Sequence, residues 1–449
     1  MQNSAEAKPI SPTDLMVLRF REVLAATELL APQQLRDHQE GLLRPLLRHA
    51  RAHVPFYGAR LAPVFHFGEV DLSRWSDIPI LTRADAQNHA AALTARALPP
   101  NVGPSFAGAT SGSTGRPVRY SKSQLASVAE LALTDRLYRW WGMDGNKTLV
   151  FLAADQDLAI ASDPQLQSWA WRTGCPGGAG LRVSVAEDAH RLLDRLLQVR
   201  PNYVLARPPI LKDLSQLARE RGADLVFDLL LSTGGVLDEG VRGACREVFS
   251  ARIADAYGAD EVGQIACGCP HCGLSHVNAE AMLVELLRDD GEPVAPGEPG
   301  RVIITNFYNY AMPLIRYEIG DYAIAPSEPV KCPIRLPALS RIFGRYRGTL
   351  KLADGRILFP QVDPQILTYR LSCRQFQIVQ TSYHVLELRY VSQPGHNAPD
   401  TAAVTAYLQH QFDNKFQIIF CPMDRIERSA NGKFEDIVSL VPRVTPSKT

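Results

Sequence analysis

Residues Arg252 to Gly263 read RIADAYGADEVG, in which a short apolar strand candidate runs into an aromatic residue, a glycine and two carboxylates. In layered α/β proteins the loops at the carboxyl ends of the strands form the ligand crevice, so this stretch predicts a binding site at a strand end. Tyr257 offers a ring for stacking on a base, and Glu261 offers oxygen ligands of the kind that Mg²⁺ prefers. The alternative interpretation is a plain acidic turn.

The sequence around this stretch alternates short apolar runs with amphipathic stretches, which is typical of strands that alternate with helices. Leucines at helical spacing form one apolar stripe within Ala189–Leu197 and another within Leu211–Leu217. We therefore predict an α/β layered domain. The strand candidates are Leu149–Ala153, Tyr203–Ala206, Leu225–Leu231, Arg252–Ala256 and Val302–Thr305.

Two domains are predicted, because a chain of 449 residues is too long for one ordinary core and its texture changes near Arg345. Residues 1–344 are predicted to form the N-terminal domain, mostly helical to about residue 99. Residues 345–449 are predicted to form a small α+β domain and a candidate mobile lid. Its expected elements are a hairpin at Gln375–Tyr390, a helix near Ala402–Phe412 and an apolar run at Gln417–Phe420.

Charge and composition exclude several classes of partner. The 48 Lys and Arg residues balance 47 Asp and Glu residues, and no basic run offers a footprint for nucleic acid. No apolar stretch reaches the roughly 18 to 20 residues that span a bilayer, and the first residues lack the apolar core of a secretion signal. We therefore expect a cytoplasmic protein that binds neither nucleic acid nor a membrane.

The strongest local signal for a phosphate site is TSGSTGRP, at Thr110 to Pro117. Its hydroxyl residues alternate with glycines, whose missing side chains let backbone N–H groups approach an anion. The stretch lacks the Gly-Lys-Ser/Thr ending of a Walker loop and the spacing of a dinucleotide fingerprint. The alternative interpretation is a flexible Ser/Gly linker.

A cysteine cluster follows Glu261 along the chain. The stretch from Cys267 to His276 reads CGCPHCGLSH and contains a Cys-x₂-Cys knuckle with a nearby histidine, which can supply three ligands to zinc. A fourth ligand must come from elsewhere. Unligated thiols are the alternative, whereas eight cysteines in so long a chain are too few for a disulfide scaffold.

Four stretches in chain order resemble the motifs of the adenylate-forming superfamily: the loop at Thr110, the stretch at Asp255, Tyr317-Glu-Ile-Gly-Asp321 and Asn431-Gly-Lys433. The resemblance covers nearly the whole chain. It implies a large N-terminal domain of several subdomains with a small mobile C-terminal domain. It also implies ATP-dependent activation of a carboxylic acid to an acyl-adenylate, with release of pyrophosphate.

Within the superfamily the chain is most similar to the phenylacetate-CoA ligase-like branch, through RAHVPFYG at Arg51–Gly58 and DIPILTRAD at Asp77–Asp85. This similarity implies an aryl or arylacetic acid as substrate and CoA as the acceptor of the acyl group. Two other functions stay open: transfer of the acyl group to an amine or a carrier thiol, and a nucleotide-binding homologue with impaired catalysis. A homodimer is left open as well.

The resemblance implies a role for each matching residue. Lys433 would stabilise the charge that develops as the acid attacks the α-phosphate, and Glu261 would hold Mg²⁺. Tyr257 would stack on the purine, while Asp321 and Arg345 would contact the ribose. The other implied nucleotide contacts are Ser111, Ser113, Thr114 and Gly115, assisted by Arg116, on the phosphates, and Gly234, Gly235, Val236, Ala256 and Gly258 around the adenine.

Two positions depart from the family pattern. Asp260 stands where the family has a threonine or serine that contacts the α-phosphate, and a carboxylate there repels phosphate unless a cation compensates. We keep Asp260 among the predicted nucleotide-binding residues. Arg347 stands where the family has the acidic hinge of the C-terminal domain, which implies an altered domain rotation.

The resemblance also implies the fourth zinc ligand, because some relatives in this branch carry a structural zinc with a cysteine in the interval that holds Cys332. The cluster begins six residues after Glu261, so zinc there would brace the loop that bears the magnesium ligand. The predicted closed, structural site consists of Cys269, Cys272, His276 and Cys332, with Cys267 or His271 as substitutes.

Overall fold

The computed structural model describes residues 11–110, 117–153, 169–185, 189–345, 350–354, 356–358, 360, 362, 364–393, 398–412, 415–426 and 437–442. These residues form two compact units. The first consists of the described residues up to Gly344, except Pro117. The second takes Pro117 and the described residues from Arg345 onward. Within this part of the chain, no helix has the length and apolar character needed to cross a bilayer.

The first unit opens with helices whose ends are set by local sequence. Ser11 caps the first helix by accepting a hydrogen bond from the backbone N–H of Asp14, whose carboxylate accepts in return from the backbone N–H of Ser11. The helices of this unit are α1 (Pro12–Thr27), α2 (Pro32–His53), α3 (Arg83–Asn88), α4 (Ala90–Leu93), α5 (Gln124–Trp140), α6 (Ala189–Val199), α7 (Pro208–Glu220) and α8 (Glu239–Phe249).

The strands of the first unit build two larger sheets and two hairpins. They are β1 (Phe65–His66), β2 (Glu69–Val70), β3 (Ser105–Ala109), β4 (Arg119–Ser123), β5 (Leu149–Ala153), β6 (Gly180–Ser184), β7 (Tyr203–Ala206), β8 (Leu229–Thr233), β9 (Arg252–Ala259), β10 (Gly263–Gly268), β11 (Ser275–Val277), β12 (Met282–Leu287), β13 (Pro299–Asn306), β14 (Tyr317–Ile324), β15 (Ala338–Leu339) and β16 (Arg341–Arg345), whose last residue belongs to the second unit.

An eight-stranded sheet in the order β15-β11-β10-β9-β8-β7-β5-β6 organises this unit. Strands β5 to β9 run parallel, and β10, β11 and β15 continue the sheet antiparallel. Helices α6, α7 and α8 pack their apolar stripes on one face, where Leu193, Leu211 and Phe249 are buried against Val204 and Ile253. The α/β prediction is therefore confirmed.

The predicted strands differ from the observed ones where apolar residues are buried without being part of a strand. The sequence predicts β5 and β7 at their observed bounds, but the prediction of a strand over Leu225–Leu231 is wrong in its first half, because β8 begins at Leu229. Leu225 and Phe227 are buried in the helix-covered core while lying before the strand. The predicted strands at Arg252 and Val302 are parts of the longer β9 and β13.

The second unit is an α+β assembly with its own core. Strands β19 (Cys373–Ser382) and β20 (Val385–Ser392) form an antiparallel hairpin. Strands β21 (Gln417–Pro422) and β22 (Ile437–Ser439) flank it in parallel, in the order β21-β20-β19-β22. The predicted hairpin and helix are observed, and the apolar run predicted at Gln417–Phe420 lies within β21. The elements are β17 (Leu350–Lys351), β18 (Ile357–Leu358), α9 (Pro364–Arg370), β19 (Cys373–Ser382), β20 (Val385–Ser392), α10 (Thr401–Gln411), β21 (Gln417–Pro422) and β22 (Ile437–Ser439).

Candidate active site

The carboxyl ends of β8 and β9 bring two predicted adenine segments together. The two strands are parallel neighbours, and Thr233 pairs with Ala256 at the end of β8. Gly234, Gly235 and Val236 directly follow this pair on one strand, and Tyr257 and Gly258 follow it on the other. These predicted residues therefore lie at one edge of the large sheet, which is where layered α/β proteins bind ligands.

Two of the glycines at this edge have a steric reason to be glycine. Gly234 has a φ of 72°, in the left-handed region that side chains disfavour. A Cβ on Gly258 would lie 2.8 Å from the carbonyl oxygen of Gly263, across the turn that joins β9 to β10. The backbone of the binding edge is thus fixed by residues that no larger side chain can replace without a shift.

Tyr257 and Asp321 meet directly, although 64 residues separate them along the chain. The hydroxyl of Tyr257 donates a 2.7 Å hydrogen bond to Oδ2 of Asp321, which is buried on β14. Burial and the charge of Asp321 raise the pKa of Tyr257 well above its ordinary value, so the phenol remains a donor. The structure brings the predicted purine and ribose residues to one place.

Glu261 is buried, with 2% of its surface exposed, so it is not part of an exposed acidic turn. Its Oε1 accepts hydrogen bonds from Nη1 of Arg83 at 2.8 Å and from the hydroxyl of Tyr317 at 3.0 Å. Its Oε2 is buried and has no hydrogen-bond partner among the described residues. A buried carboxylate oxygen left without a partner is costly, and such atoms in native structures call for an explanation such as an ion.

Asp260 lies beside Glu261 in the same turn but is exposed. Burial raises the pKa of Tyr120 to about 12, and the negative charges of Asp260, Glu130 and Glu261 add to this rise. Lys122 brings a positive charge to the same surroundings, since its Nζ lies 2.5 Å from Oε2 of Glu130. The departure at Asp260 therefore adds a carboxylate to a region that already holds Glu130 and Glu261.

The strands on either side of the predicted phosphate loop, β3 and β4, form a closed hairpin. Ala109 pairs with Arg119, and the backbone N–H of Thr110 donates to the carbonyl of Val118 at 3.0 Å. The hydroxyl of Thr110 accepts from the backbone N–H of Val118, also at 3.0 Å. Arg345 is the last residue of β16. The predicted residues Ser111, Ser113, Thr114, Gly115, Arg116, Arg347 and Lys433 lie outside the described part of the chain.

Sequence reasoning missed Arg83 and the role of Tyr317. Besides Glu261, the guanidinium of Arg83 contacts the Tyr317 hydroxyl at 3.3 Å and Oγ1 of Thr110 at 3.4 Å. The available signal was the Thr-x-x-Asp pattern at Thr82 and Asp85, which forms a capping box and places Arg83 in the first turn of α3. This signal fixes the backbone of Arg83 but does not reveal its contact with Glu261, which lies 178 residues further along the chain.

The four predicted zinc ligands converge in the first unit. Their donor atoms all lie within 4.8 Å of one another. Sγ of Cys269 is 3.7 Å from Sγ of Cys332, and Sγ of Cys272 is 3.5 Å from Nε2 of His276. Tetrahedral zinc with ordinary bond lengths requires about 3.8 Å between two sulfur ligands and about 3.6 Å between sulfur and nitrogen. The Cys269–Cys332 and Cys272–His276 distances match these two edges.

The imidazole of His276 is oriented for a ligand on its Nε2 side. Its Nδ1 lies 2.8 Å from the carbonyl oxygen of Leu336, which can only accept, so Nδ1 carries the proton and Nε2 presents its lone pair. The substitute ligand Cys267 lies outside the group of four donor atoms, with its sulfur 3.2 Å from Nε2 of Gln264. His271, the other substitute, donates its backbone N–H to Sγ of Cys269 at 3.4 Å.

Comparison with known proteins gives no matching family model. A phenylacetate-coenzyme A ligase of Thermus thermophilus is 25% identical over 374 residues, which cover 78% of this chain and 79% of that protein. Among solved structures, 2-hydroxyisobutyryl-CoA ligase in the postadenylation state with 2-HIB-AMP aligns with a TM-score of 0.64 at 17% identity, over 92% of this chain and 90% of that one. The protein has the fold of the adenylate-forming acyl-CoA ligases.

A second solved ligase of this fold is o-succinylbenzoate CoA synthetase of Bacillus subtilis in complex with OSB-AMP. It aligns with a TM-score of 0.50 at 15% identity, over 74% of this chain and 67% of that one. The resemblance predicted from the sequence is confirmed, since the curated relative is a phenylacetate-CoA ligase and the solved structures share the adenylate-forming ligase fold.

Proposed function

We propose that this protein is an AMP-forming acid:CoA ligase, which activates a small carboxylic acid as its acyl-adenylate and transfers the acyl group to CoA. The observation that carries the proposal is the hydrogen bond between Tyr257 and Asp321, near the charge of Glu261, which helps to raise the pKa of Tyr257, in a chain with the fold of adenylate-forming ligases. An aromatic acid is the proposed substrate, because the curated relative is named a phenylacetate ligase.

The proposed nucleotide site uses the carboxyl edge of β8 and β9. Adenine lies between the ring of Tyr257 and the segment Gly234–Val236, and Asp321 accepts hydrogen bonds from the ribose hydroxyls. The hydrogen bond from Tyr257 to Asp321 supports this assignment, because it fixes the ring plane and one carboxylate oxygen before the nucleotide binds. Pre-positioned groups lose less entropy when the ligand arrives.

Glu261 is the proposed holder of Mg²⁺. The fit rests on its Oε2, a buried carboxylate oxygen without a hydrogen-bond partner among the described residues, since Mg²⁺ prefers such hard oxygen ligands. When bound, Mg²⁺ supplies positive charge to the phosphates as pyrophosphate leaves. Glu261 itself contributes an orientation that is already fixed, because Arg83 and Tyr317 hold its other oxygen.

The phosphate loop and Lys433 are assigned by resemblance alone. Ser111, Ser113, Thr114 and Gly115 are proposed to bind the terminal phosphates, because glycine-rich backbone can close over an anion. Lys433 is proposed to stabilise the charge that develops between the acyl carboxylate and the α-phosphate, since a cation aimed at developing charge lowers the barrier. Arg345 completes the proposed ribose contacts, and Asp260 lies next to the phosphates.

A structural zinc is proposed at Cys269, Cys272, His276 and Cys332. The distances between donor atoms and the fixed tautomer of His276 support it. Four protein ligands leave no open position, so this metal takes no part in the chemistry. Its proposed effect is to tie the β10–β11 hairpin, which follows Glu261, to the segment that carries Cys332.

The proposed activity is tested by pyrophosphate release over a panel of aromatic, arylacetic and aliphatic acids, with and without CoA. We expect ATP-dependent release with an aromatic acid and a CoA thioester when CoA is present. Release of pyrophosphate without formation of a thioester would indicate that the acyl acceptor is not CoA. No release with any acid, from protein that is folded by circular dichroism, would refute adenylation.

Substitutions at Tyr257 test the nucleotide site. Tyr257→Ala is expected to raise the KM for ATP about tenfold, because base–aromatic stacking contributes about 1 to 3 kcal/mol. Tyr257→Phe keeps the ring and loses one hydrogen bond, worth about 1 kcal/mol, so a rise of a few fold is expected. Tyr322→Phe on the same strand as Asp321 is the matched control and should change nothing, because the hydroxyl of Tyr322 bonds the surface residue Asp289. Equal KM values for all three variants would contradict the assignment.

A further inference from the structure

Arg83 connects the carboxylate of Glu261 to Thr110, at the end of the hairpin formed by β3 and β4. Its Nη1 donates to Oε1 of Glu261 at 2.8 Å, and its Nη2 lies 3.4 Å from Oγ1 of Thr110. We propose that Arg83 is a positioning residue for the metal site: it holds one oxygen of Glu261, so that the other is presented to Mg²⁺. The inference rests on the proposed function, in which Glu261 binds the metal of Mg-ATP.

The backbone fixes Arg83 from both sides. Leu81 forms a parallel bridge with Tyr317, in which its N–H donates to the carbonyl of Arg316 and its carbonyl accepts from the N–H of Glu318, both at 2.9 Å. Thr82 and Asp85 form a capping box around the first turn of α3. Arg83 lies between these two anchors, and Tyr317 is the residue opposite Leu81. One local pairing therefore delivers both groups that contact Oε1 of Glu261.

The burial of Arg83 and Glu261 explains why Glu261 needs a cationic partner before a metal binds. The side chain of Glu261 is 1% exposed and that of Arg83 is 14% exposed. A buried carboxylate without a partner costs several kcal/mol, so an unpaired Glu261 would be poorly tolerated. Arg83 offsets this cost through Oε1 alone and leaves Oε2 open.

Oε1 of Glu261 accepts hydrogen bonds, while Oε2 is left for a metal. This is the usual arrangement of a metal-ligating carboxylate and its outer-shell partners. Ligating carboxylates are themselves hydrogen-bonded, and loss of an outer-shell partner typically costs 10- to 100-fold in metal affinity. Tyr317 serves as the second such partner, since its hydroxyl donates a 3.0 Å hydrogen bond to the same oxygen of Glu261. An arginine suits the position because its planar fork reaches Glu261, Tyr317 and Thr110 together, which the single ammonium of a lysine cannot do.

The experiment measures binding rather than turnover. Affinity for α,β-methylene-ATP is determined by calorimetry in Mg²⁺ and again after brief addition of EDTA, without any acid, for the unsubstituted protein and for Arg83→Met and Arg83→Lys. The zinc content is checked after the EDTA titration, so that only the removal of Mg²⁺ is compared. Arg83→Met is expected to lose about tenfold or more of the affinity in Mg²⁺ and almost none in EDTA. Arg83→Lys keeps the charge and is expected to lose less.

Arg60→Met is the matched control, because Arg60 holds the same segment without contacting Glu261. Its Nη2 donates to the carbonyls of Pro79 at 3.2 Å and Ile80 at 2.5 Å. It should bind the analogue as the unsubstituted protein does. The inference would be overturned if Arg60→Met and Arg83→Met lost the same affinity for the analogue. It would also be overturned if Arg83→Met lost the same affinity in Mg²⁺ and in EDTA.

Two further outcomes separate this inference from the proposed function. Mg²⁺-dependent binding that is the same with and without the Arg83 substitutions would refute the role of Arg83 and leave the proposed function intact. Absence of any Mg²⁺-dependent binding in the unsubstituted protein would overturn both. If Arg83→Met does not fold, the same comparison is made with Arg83→Lys and Tyr317→Phe, which keep the packing volume and should each lose affinity only in Mg²⁺.

Discussion

Glu261→Gln is expected to lower the rate of adenylation about 100- to 1,000-fold while leaving the fold intact, the usual range for loss of one group that stabilises transition-state charge. The glutamine side chain has almost the same shape, so its carbonyl oxygen can still accept from Arg83 and Tyr317. Its amide nitrogen then takes the place of Oε2, and an N–H₂ group cannot ligate a cation. The substitution therefore removes the proposed metal contact and little else.

The measurement is pyrophosphate release at saturating acid and ATP over a series of Mg²⁺ concentrations, together with the thermal midpoint. Glu318→Gln is the matched control, since Glu318 follows Tyr317 on β14 and pairs with Arg301 at 3.0 Å. It should keep nearly full activity. Activity of Glu261→Gln within a few fold of the unsubstituted protein would remove Glu261 from the proposed chemistry.

The sequence predicts the layered sheet because parallel strands that are buried on both faces read as continuous apolar runs. LVFLA at Leu149 and YVLA at Tyr203 are such runs, and both are strands at the predicted bounds. The same rule fails at Leu225–Asp228, where apolar residues are buried ahead of the strand rather than in it. It also misses β6 (GLRVS), in which only Gly180 and Val183 are buried. Periodicity reports burial, and burial alone does not separate a strand from a packed loop.

Part of the site can be predicted from a local stretch of sequence, whereas the rest depends on contacts between residues that lie far apart along the chain. Tyr257 and Glu261 follow from one stretch, because a ligand edge at the end of a strand has a local signature. The contact of Arg83 with Glu261 depends on a bridge between Leu81 and Tyr317, which no local pattern encodes. The zinc knuckle supplies three ligands locally, whereas Cys332 lies 63 residues from Cys269 and was inferred only through the family resemblance.

Loss of zinc is expected to cause the largest change in stability. Cys269→Ser, or prolonged chelation, should lower the free energy of unfolding of the first unit by about 3 kcal/mol or more, since the binding free energy of a structural zinc contributes directly to folding. The reason lies in the local structure: the turn after Cys269 is held by two backbone hydrogen bonds, from Cys269 to Leu274 and from Gly273 to Cys269. The segment with Cys332 is joined to the rest of the unit by backbone hydrogen bonds from Arg335 to Glu28 and from Val277 to Pro337, and by β15 on β11.

Metal analysis and calorimetry check this expectation. The unsubstituted protein should carry one zinc per chain, and Cys269→Ser should carry less and unfold at a lower temperature. Cys267→Ser is the matched control, because Cys267 is buried only two residues away but lies outside the group of donor atoms. It should keep its zinc whatever its effect on packing.

The same variants separate a structural zinc from one that acts in the chemistry. Because a site with four protein ligands is closed, Cys269→Ser should keep most of its turnover number well below its new midpoint and lose activity steeply as that midpoint is approached. Equal zinc content in the Cys269 and Cys267 variants would contradict the ligand set. A zinc-free protein with an unchanged midpoint would show that the four residues are packed side chains without a metal. The turn that bears Glu261 would then be held without zinc, by contacts that include the hydrogen bonds to Glu261 from Arg83 and Tyr317 and the pairing of Ala259 with Gly263.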